Sequence, residues 1–220
     1  MVCCVGVRDR LLAGLARQLG RPSGMRGRLV GGLLNRANRR TVAEAIEGLS
    51  LPSGAVVADI GFGGAVGLGL LIAEVGTAGQ VHGVELSQTM LSSAARRFRR
   101  EIQAGRLHLH DASMAQLPLA DDSLDGVLTV NTIYFIAELD RALSELARVV
   151  KPAGRVVIGI GDPDAMAKMP YSAHGFTIRP VAEVVDALAS AGLTVQDDRR
   201  VGDGDDAAHL LIATPTCRTD

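Results

Sequence analysis

The chain has 220 residues, 47% of them apolar, with 23 basic side chains against 24 acidic and a formal net charge of −1. A chain of this size buries about 70% of its unfolded surface in one packed domain, so bulk disorder is excluded, and the balanced charge supplies no field for non-specific binding to nucleic acid or an anionic membrane. No apolar stretch approaches the ~18 residues of a membrane span, and Arg8 interrupts MVCCVGVRDR before a signal-peptide core develops, so a chain with no membrane span and no classical signal is expected. Cys3, Cys4 and Cys217 sit at the two extremes without a CxxC pair, so neither a disulfide framework nor a zinc site follows from their spacing. A cytoplasmic location and no metal are the expectations.

Residues 1–40 carry nine arginines and one acid, Asp9, a local excess of +8. An N-terminal helical extension, a cap facing substrate or phosphate, and a targeting or partner-binding arm all fit that bias. The chain as a whole uses 21 arginines and two lysines, Lys151 and Lys168, a usage that points to a GC-rich bacterial source.

From residue 41 apolar runs alternate with amphipathic stretches. Thr41 to Leu49 reads as a helix, with Val42, Ala45, Ile46 and Leu49 on one face, ended by LPSG. Strands are expected at 55–60, 80–85, 106–110, 124–130, 155–160, 193–196 and 208–213, with helical stretches separating the first five. Those helices are Gly64 to Val75, a second opened by Ser87 as N-cap and running to about Ile102, and Ala137 to Val150. Pro180 stands at the first position of a helix over Val181 to Ala191, closed by Gly192. The alternation implies an α/β fold, a Rossmann-like doubly wound and mostly parallel seven-stranded sheet; the last two strands, joined by GDGDD at 202–206, form an antiparallel C-terminal hairpin. The domain reading is a cap over 1–40, one domain over 41–214 and a tail over 215–220.

In such a sheet the ligand lies beyond the carboxyl ends of the strands. The first strand ends in Asp59-Ile60-Gly61-Phe62-Gly63-Gly64, whose glycines let the backbone turn sharply and approach a ligand. Glu85 ends the second strand, where a carboxylate can accept from both ribose hydroxyls. Asp59 beside the helix N-terminus opposes a pyrophosphate and favours an ammonium or sulfonium group, so the cofactor is expected to be cationic. Other readings stay open: Asp59 and Asp111 as helix caps, Glu85 as a solvated strand end, Asn131 as a turn residue and Met90 as core. Arg96, Arg97, Arg99 and Arg100 read as a solvated face. His108 and His110 share a strand face without a third ligand for a metal.

DIGFGG, VHGVELSQTML, HDASMAQLPLADDSLDGVLTVN and ARVVKPAGRVVI, in this order, resemble the motifs of the class I S-adenosylmethionine-dependent methyltransferases, and the likeness covers about residues 41–214. Ala65 stands where many members have a third glycine, Leu124 where an aromatic is usual, and Ala153 replaces a glycine. The resemblance implies S-adenosyl-L-methionine as cofactor, with Asp59, Gly61, Phe62 and Gly63 around its methionine part and Asn131 at the methyl end. Glu85 would hold the ribose, Leu86 and Met90 would pack near adenine, and Asp111 and the Ala112 N–H would bind the ring. It also implies a cap in which Asn35, Arg36 or Arg39 contacts the site.

The implied reaction is in-line methyl transfer to a small, partly apolar acceptor. Tyr134, Tyr171, His174 and Phe176, the last three on a lid-length connection over 161–179, are the candidate acceptor contacts. No catalytic residue is assigned; His174 and Tyr134 are the candidate bases. A monomer and a homodimer are both open. The alternatives are a nicotinamide-dependent oxidoreductase, whose GxGxxG is broken by Val66, and a non-catalytic protein that binds S-adenosylmethionine.

Overall fold

The structure, a computed structural model, describes Asp9, residues 11–14, Ala16 and residues 38–216. The expectations for Asn35, Arg36 and the three cysteines therefore lie outside the described residues, as does most of the segment read as a cap. Strands β1 (Val56–Ile60), β2 (Gln80–Glu85), β3 (Leu107–Asp111), β4 (Leu124–Val130), β5 (Val150–Gly161), β6 (Leu193–Val201) and β7 (Ala208–Pro215) form one sheet in the order β3-β2-β1-β4-β5-β7-β6. β1 to β5 run parallel, and β7 is antiparallel to both β5 and β6. The C-terminal hairpin expected from GDGDD is present, with β7 on its inner side and β6 at the edge.

Helix α1 (38–49) and helices α2 (Val66–Glu74) and α3 (Gln88–Arg97) cover one face of the sheet, where Ala45, Leu49, Leu68, Leu71 and Met90 meet Val57, Val81 and Leu128. A short helix α4 (Arg99–Gln103) continues α3 after a break at Phe98, whose φ of −108° and ψ of 31° leave the helical region. The opposite face packs under α5 (Leu139–Val149) and α7 (Val181–Ser190), with Leu143, Leu146, Val184 and Leu188 against Val127, Ile158 and Ile160. Each such fully buried aliphatic side chain contributes about 1.5–3 kcal/mol of transfer free energy.

Three sequence expectations are corrected. No helix separates β3 from β4: residues 112–123 run as turns, broken by Pro118 and pinned from α5 by Arg148, which donates to the carbonyls of Leu117 and Leu119 at 3.1 and 2.8 Å. β5 starts at Val150 without an intervening loop, Val150 pairing with Leu124 ahead of a register shift. β6 extends to Val201 through Asp197, Asp198, Arg199 and Arg200, charges that suit an edge strand and hide it from an apolar-run criterion. Ser87 does cap α3, its Oγ accepting from Met90 N at 3.3 Å.

Candidate active site

The carboxyl ends of β1, β4 and β5 converge on one cavity of about 290 Å³, whereas Glu85, Leu86, Met90, Asp111 and Ala112 are not among its lining residues. After Asp59 and Ile60 the chain turns through Gly61 (φ 74°), Gly63 (φ 47°) and Ala65 (φ 63°) into α2. At Gly61 a β-carbon would strike the Thr132 side chain, so glycine is required there on steric as well as conformational grounds. Ala65, an L-residue, is held in the left-handed region at the N-cap of α2, a conformation that glycine adopts without steric cost. Asp59 is 5% exposed. Burial, reinforced by the negative charge of Glu85, pushes its carboxyl up from 3.8 to about 7. Its Oδ2 lies against the backbone of Gly67 in the first turn of α2, where any side chain would overlap it. A desolvated carboxyl in this state gains most from a cationic ligand.

Glu85 is more engaged than a solvated strand end. Its Oε2 accepts from Gly63 N at 3.0 Å, and its Oε1 accepts from Leu86 N and Ser87 N at 2.8 and 2.9 Å. Three of roughly four acceptor positions on the carboxylate are thus used in fastening the glycine loop to the β2–α3 turn. Leu86, beside it, is 43% exposed, one of two large apolar side chains so exposed among the described residues. Asp111 pairs in register with Glu85 across the β2–β3 ladder and accepts from Gln88 Nε2. Ala112 follows it, partly buried. Met90 is 3% exposed and packs into the core under α3, which makes it support for this region.

At β4, Asn131 takes φ 57°, a left-handed conformation asparagine tolerates, and lines the cavity. Tyr134 lies in the 3-10 turn Ile133–Phe135 that follows. Its hydroxyl accepts from Gly161 N at 2.5 Å and donates to Asn131 Oδ1 at 3.4 Å. Burial pushes that hydroxyl up to about 12, so it stays protonated at neutral pH and is a poor base.

The 161–179 connection does reach this end of the site. It holds a helix, α6 (Pro163–Lys168), N-capped by Asp162, and it turns Met166, Met169, Tyr171 and Phe176 to the cavity. Five of the six aromatic residues of the chain line this one space: Phe62, Tyr134, Phe135, Tyr171 and Phe176. His174 is not among the lining residues. Asn38, Thr41 and Val42 of α1 complete the wall, whereas Arg39 is exposed and outside it.

Sequence reasoning missed Phe135, Met166, Met169 and the α1 contacts. The clustering of aromatic residues in the sequence around 134–135 and 171–176 was the available signal. His82 of β2 was also missed. Its Nδ1 lies 3.0 Å from Nε2 of His110, and its ring centroid is 5.0 Å from that of His108. Among the described residues no group of three His, Cys, Asp or Glu side chains has a metal-holding arrangement.

Residues 58–158 match the family model described as a methyltransferase domain. An O-methyltransferase of Pyrenophora dematioidea is 30% identical over 140 residues, which cover 60% of this chain and 51% of that protein. A methyltransferase of Streptomyces halstedii is 30% identical over 125 residues, covering 57% of this chain and 44% of that protein. A solved structure of a SAM-dependent methyltransferase from Aquifex aeolicus superposes with a TM-score of 0.70 over 93% of this chain and 98% of that one, at 21% identity. Residues 58–158 thus match a methyltransferase domain, and the chain shares the fold of a solved SAM-dependent methyltransferase. It spans about half the length of these two curated relatives. The structure of a [4+2]-cyclase shares the fold at a TM-score of 0.67 and 20% identity, with 82% of each chain covered.

The matched part of the chain holds the glycine loop, Glu85, Asp111, Asn131 and Tyr134. The α1 residues, the 161–179 connection and the β6–β7 turn, which close the cavity, lie outside it. Among the described residues no helix is long and apolar enough to cross a membrane.

Proposed function

We propose that this protein transfers a methyl group from S-adenosylmethionine to a small, partly apolar molecule. In this reading the cofactor lies over the carboxyl ends of β1, β2 and β3, and its methyl end faces Asn131. Asp59, Gly61, Phe62 and Gly63 border the methionine part; Glu85 takes the ribose; Leu86, Asp111 and Ala112 take the adenine, with Met90 packed beneath. The residues present suit such a ligand: a desolvated carboxyl at Asp59 for a cation, an exposed apolar side chain at Leu86 for a ring face, and carboxylates at the ends of β2 and β3 for hydroxyl and amino donors. Bound there, the sulfonium supplies a methyl group already activated for in-line displacement.

The observation that carries the acceptor assignment is the gathering of five of six aromatic residues, with Met166 and Met169, around a cavity that also contains the glycine loop. Tyr134, Tyr171 and Phe176 form its acceptor wall, and Phe135 joins them. These residues hold the acceptor in line and exclude water, which lowers the barrier by proximity and desolvation. Tyr134 serves through its ring and through its bond to Asn131, because its hydroxyl is protonated and already donated. His174 as a general base lacks support from the cavity lining. The segment before α1 acts as a cap in this reading, and residues 41–214 form the methyltransferase domain.

Calorimetric titration with S-adenosylhomocysteine tests the cofactor reading, and absence of binding at hundreds of micromolar would sink it. Isotopically labelled S-adenosylmethionine incubated with a metabolite extract tests transfer. Label confined to protein-bound cofactor would instead indicate a fold used for binding or for another reaction.

A further inference from the structure

Two of the rings on the acceptor wall sit in a turn that is braced from outside the sheet. Arg179 donates from Nη1 to the carbonyl of Ile133 at 3.1 Å and from Nη2 to that of Ile136 at 3.2 Å, one on each side of Tyr134 and Phe135. Between these two bonds the Thr177 N–H donates to the Tyr134 carbonyl at 2.9 Å. All three donors come from the last residues of the 161–179 connection, whose Phe176 packs 4.6 Å from Phe135, 5.7 Å from Tyr134 and 5.6 Å from Tyr171 between ring centroids. The Arg179 side chain is 11% exposed, and its Nε faces Glu183 on α7 at 3.5 Å.

A guanidinium is planar and presents its donors in a fixed fork. With two prongs on carbonyls that bracket the turn, it fixes both the distance and the tilt of that turn relative to the segment bearing Phe176. An ammonium in its place is a compact charge with freely rotating donors and lacks the planar fork that holds both carbonyls in one fixed geometry. We propose that Arg179 is a positioning residue for the acceptor pocket, holding the Tyr134–Phe135 turn against the Phe176 segment and so setting the spacing of the aromatic walls. The inference rests on the reading of this cavity as the acceptor site. Through the Tyr134 hydroxyl the brace also reaches Asn131, so the position of the turn decides how the carboxamide is presented at the methyl end.

The chain has two tyrosines and no tryptophan, and both tyrosines line this cavity. Near-ultraviolet circular dichroism therefore reports the pocket directly, without an identified acceptor. Arg179→Lys and Arg179→Met should each lose about half of the tyrosine signal, while far-ultraviolet dichroism is retained and affinity for S-adenosylhomocysteine stays within about twofold of the parent. Glu183→Gln removes the outer ion pair but keeps both carbonyl bonds, and it should retain the tyrosine signal. Should Arg179→Met fail to fold, Arg179→Lys, which keeps the charge and the stem, decides. A parent-like tyrosine signal in Arg179→Lys, or an equal loss in Glu183→Gln, would overturn the proposal. Failure of the parent itself to bind S-adenosylhomocysteine would overturn the cofactor reading instead, leaving the tyrosine comparison intact.

Discussion

At Gly67, helix propensity and the needs of the site oppose each other. A helical glycine is ordinarily about 1 kcal/mol worse than alanine, yet a β-carbon at this position in α2 would overlap Oδ2 of Asp59. Gly67→Ala should therefore destabilise by about 1–3 kcal/mol, the usual range for overpacking, in place of the stabilisation that propensity alone gives. Because the displaced group is the buried carboxyl beside the glycine loop, affinity for S-adenosylhomocysteine should fall as well. Thermal unfolding and titration of the same variant check both. Glu85 is a second residue whose role exceeds ligand binding: its carboxylate accepts from the N–H groups of Gly63, Leu86 and Ser87. Hydrogen bonds to a charged group are worth roughly 1.5–3 kcal/mol each. Glu85→Ala should accordingly lower both the melting temperature and cofactor affinity, with Glu85→Gln intermediate because one oxygen still accepts. An alanine variant with parental stability and weakened binding would mean that the three N–H groups find water without cost.

Among the elements, the connection over 112–123 has the least regular structure of the matched domain, and its order depends on α5. Arg148 donates to the carbonyls of Leu117 and Leu119 and pairs with Asp121 and Glu145, while Glu145 accepts from Leu117 N at 2.7 Å. The Arg148 side chain is about a third exposed, so solvent screens part of these interactions. Arg148→Ala should cost about 1–2 kcal/mol and raise amide exchange first in 112–123, ahead of the sheet; uniform protection loss would refute this local role. The same segment marks the limit of what the sequence made legible. Seven strands, their antiparallel ending and the Ser87 cap could be read because apolar runs and cap chemistry are local signals. The missing helix between β3 and β4 could not, because its stand-in is held by a tertiary arginine. The charged half of β6 was hidden because an edge strand needs no apolar alternation. At the site, Asp59, Gly61, Gly63 and Asn131 were legible from motif spacing and do line the cavity, whereas Phe135, Met166 and Met169 became visible once the 161–179 connection folded back over β4.

For the molecule as a whole, two titratable groups on adjacent strands, Asp59 buried and His82 partly buried, give opposite dependence of stability on pH. Asp59 has its folded value raised from 3.8 to about 7 by burial and by Glu85. Between those values the unfolded chain has released this proton and the folded chain retains it, so the stability this group contributes is complete below 3.8 and lost as pH rises through about 7. His82 has its folded value lowered from 6.5 to about 4, by burial and then by the neighbouring His110 and His108. Between those values the unfolded chain holds a proton that the folded chain lacks, so its contribution is complete above 6.5 and lost as pH falls through about 4. His110 is lowered by burial and by His108 and adds to the same side. The two slopes oppose each other across pH 4 to 6.5, and the parent should show a flatter melting-temperature profile there than either group alone would impose. Asp59→Asn should leave the histidine limb, with stability rising towards pH 6.5; His82→Gln should leave mainly the carboxyl limb, falling as pH rises to about 7. Slopes are the quantity to compare, since each substitution also changes packing. A cationic ligand beside Asp59 favours its ionised form, so S-adenosylmethionine should bind more tightly as pH rises through about 7 and should release a proton on binding, which calorimetry in buffers of different ionisation enthalpy detects. Parallel profiles for the two variants, together with pH-independent binding, would show that neither group titrates in the folded protein as its surroundings dictate.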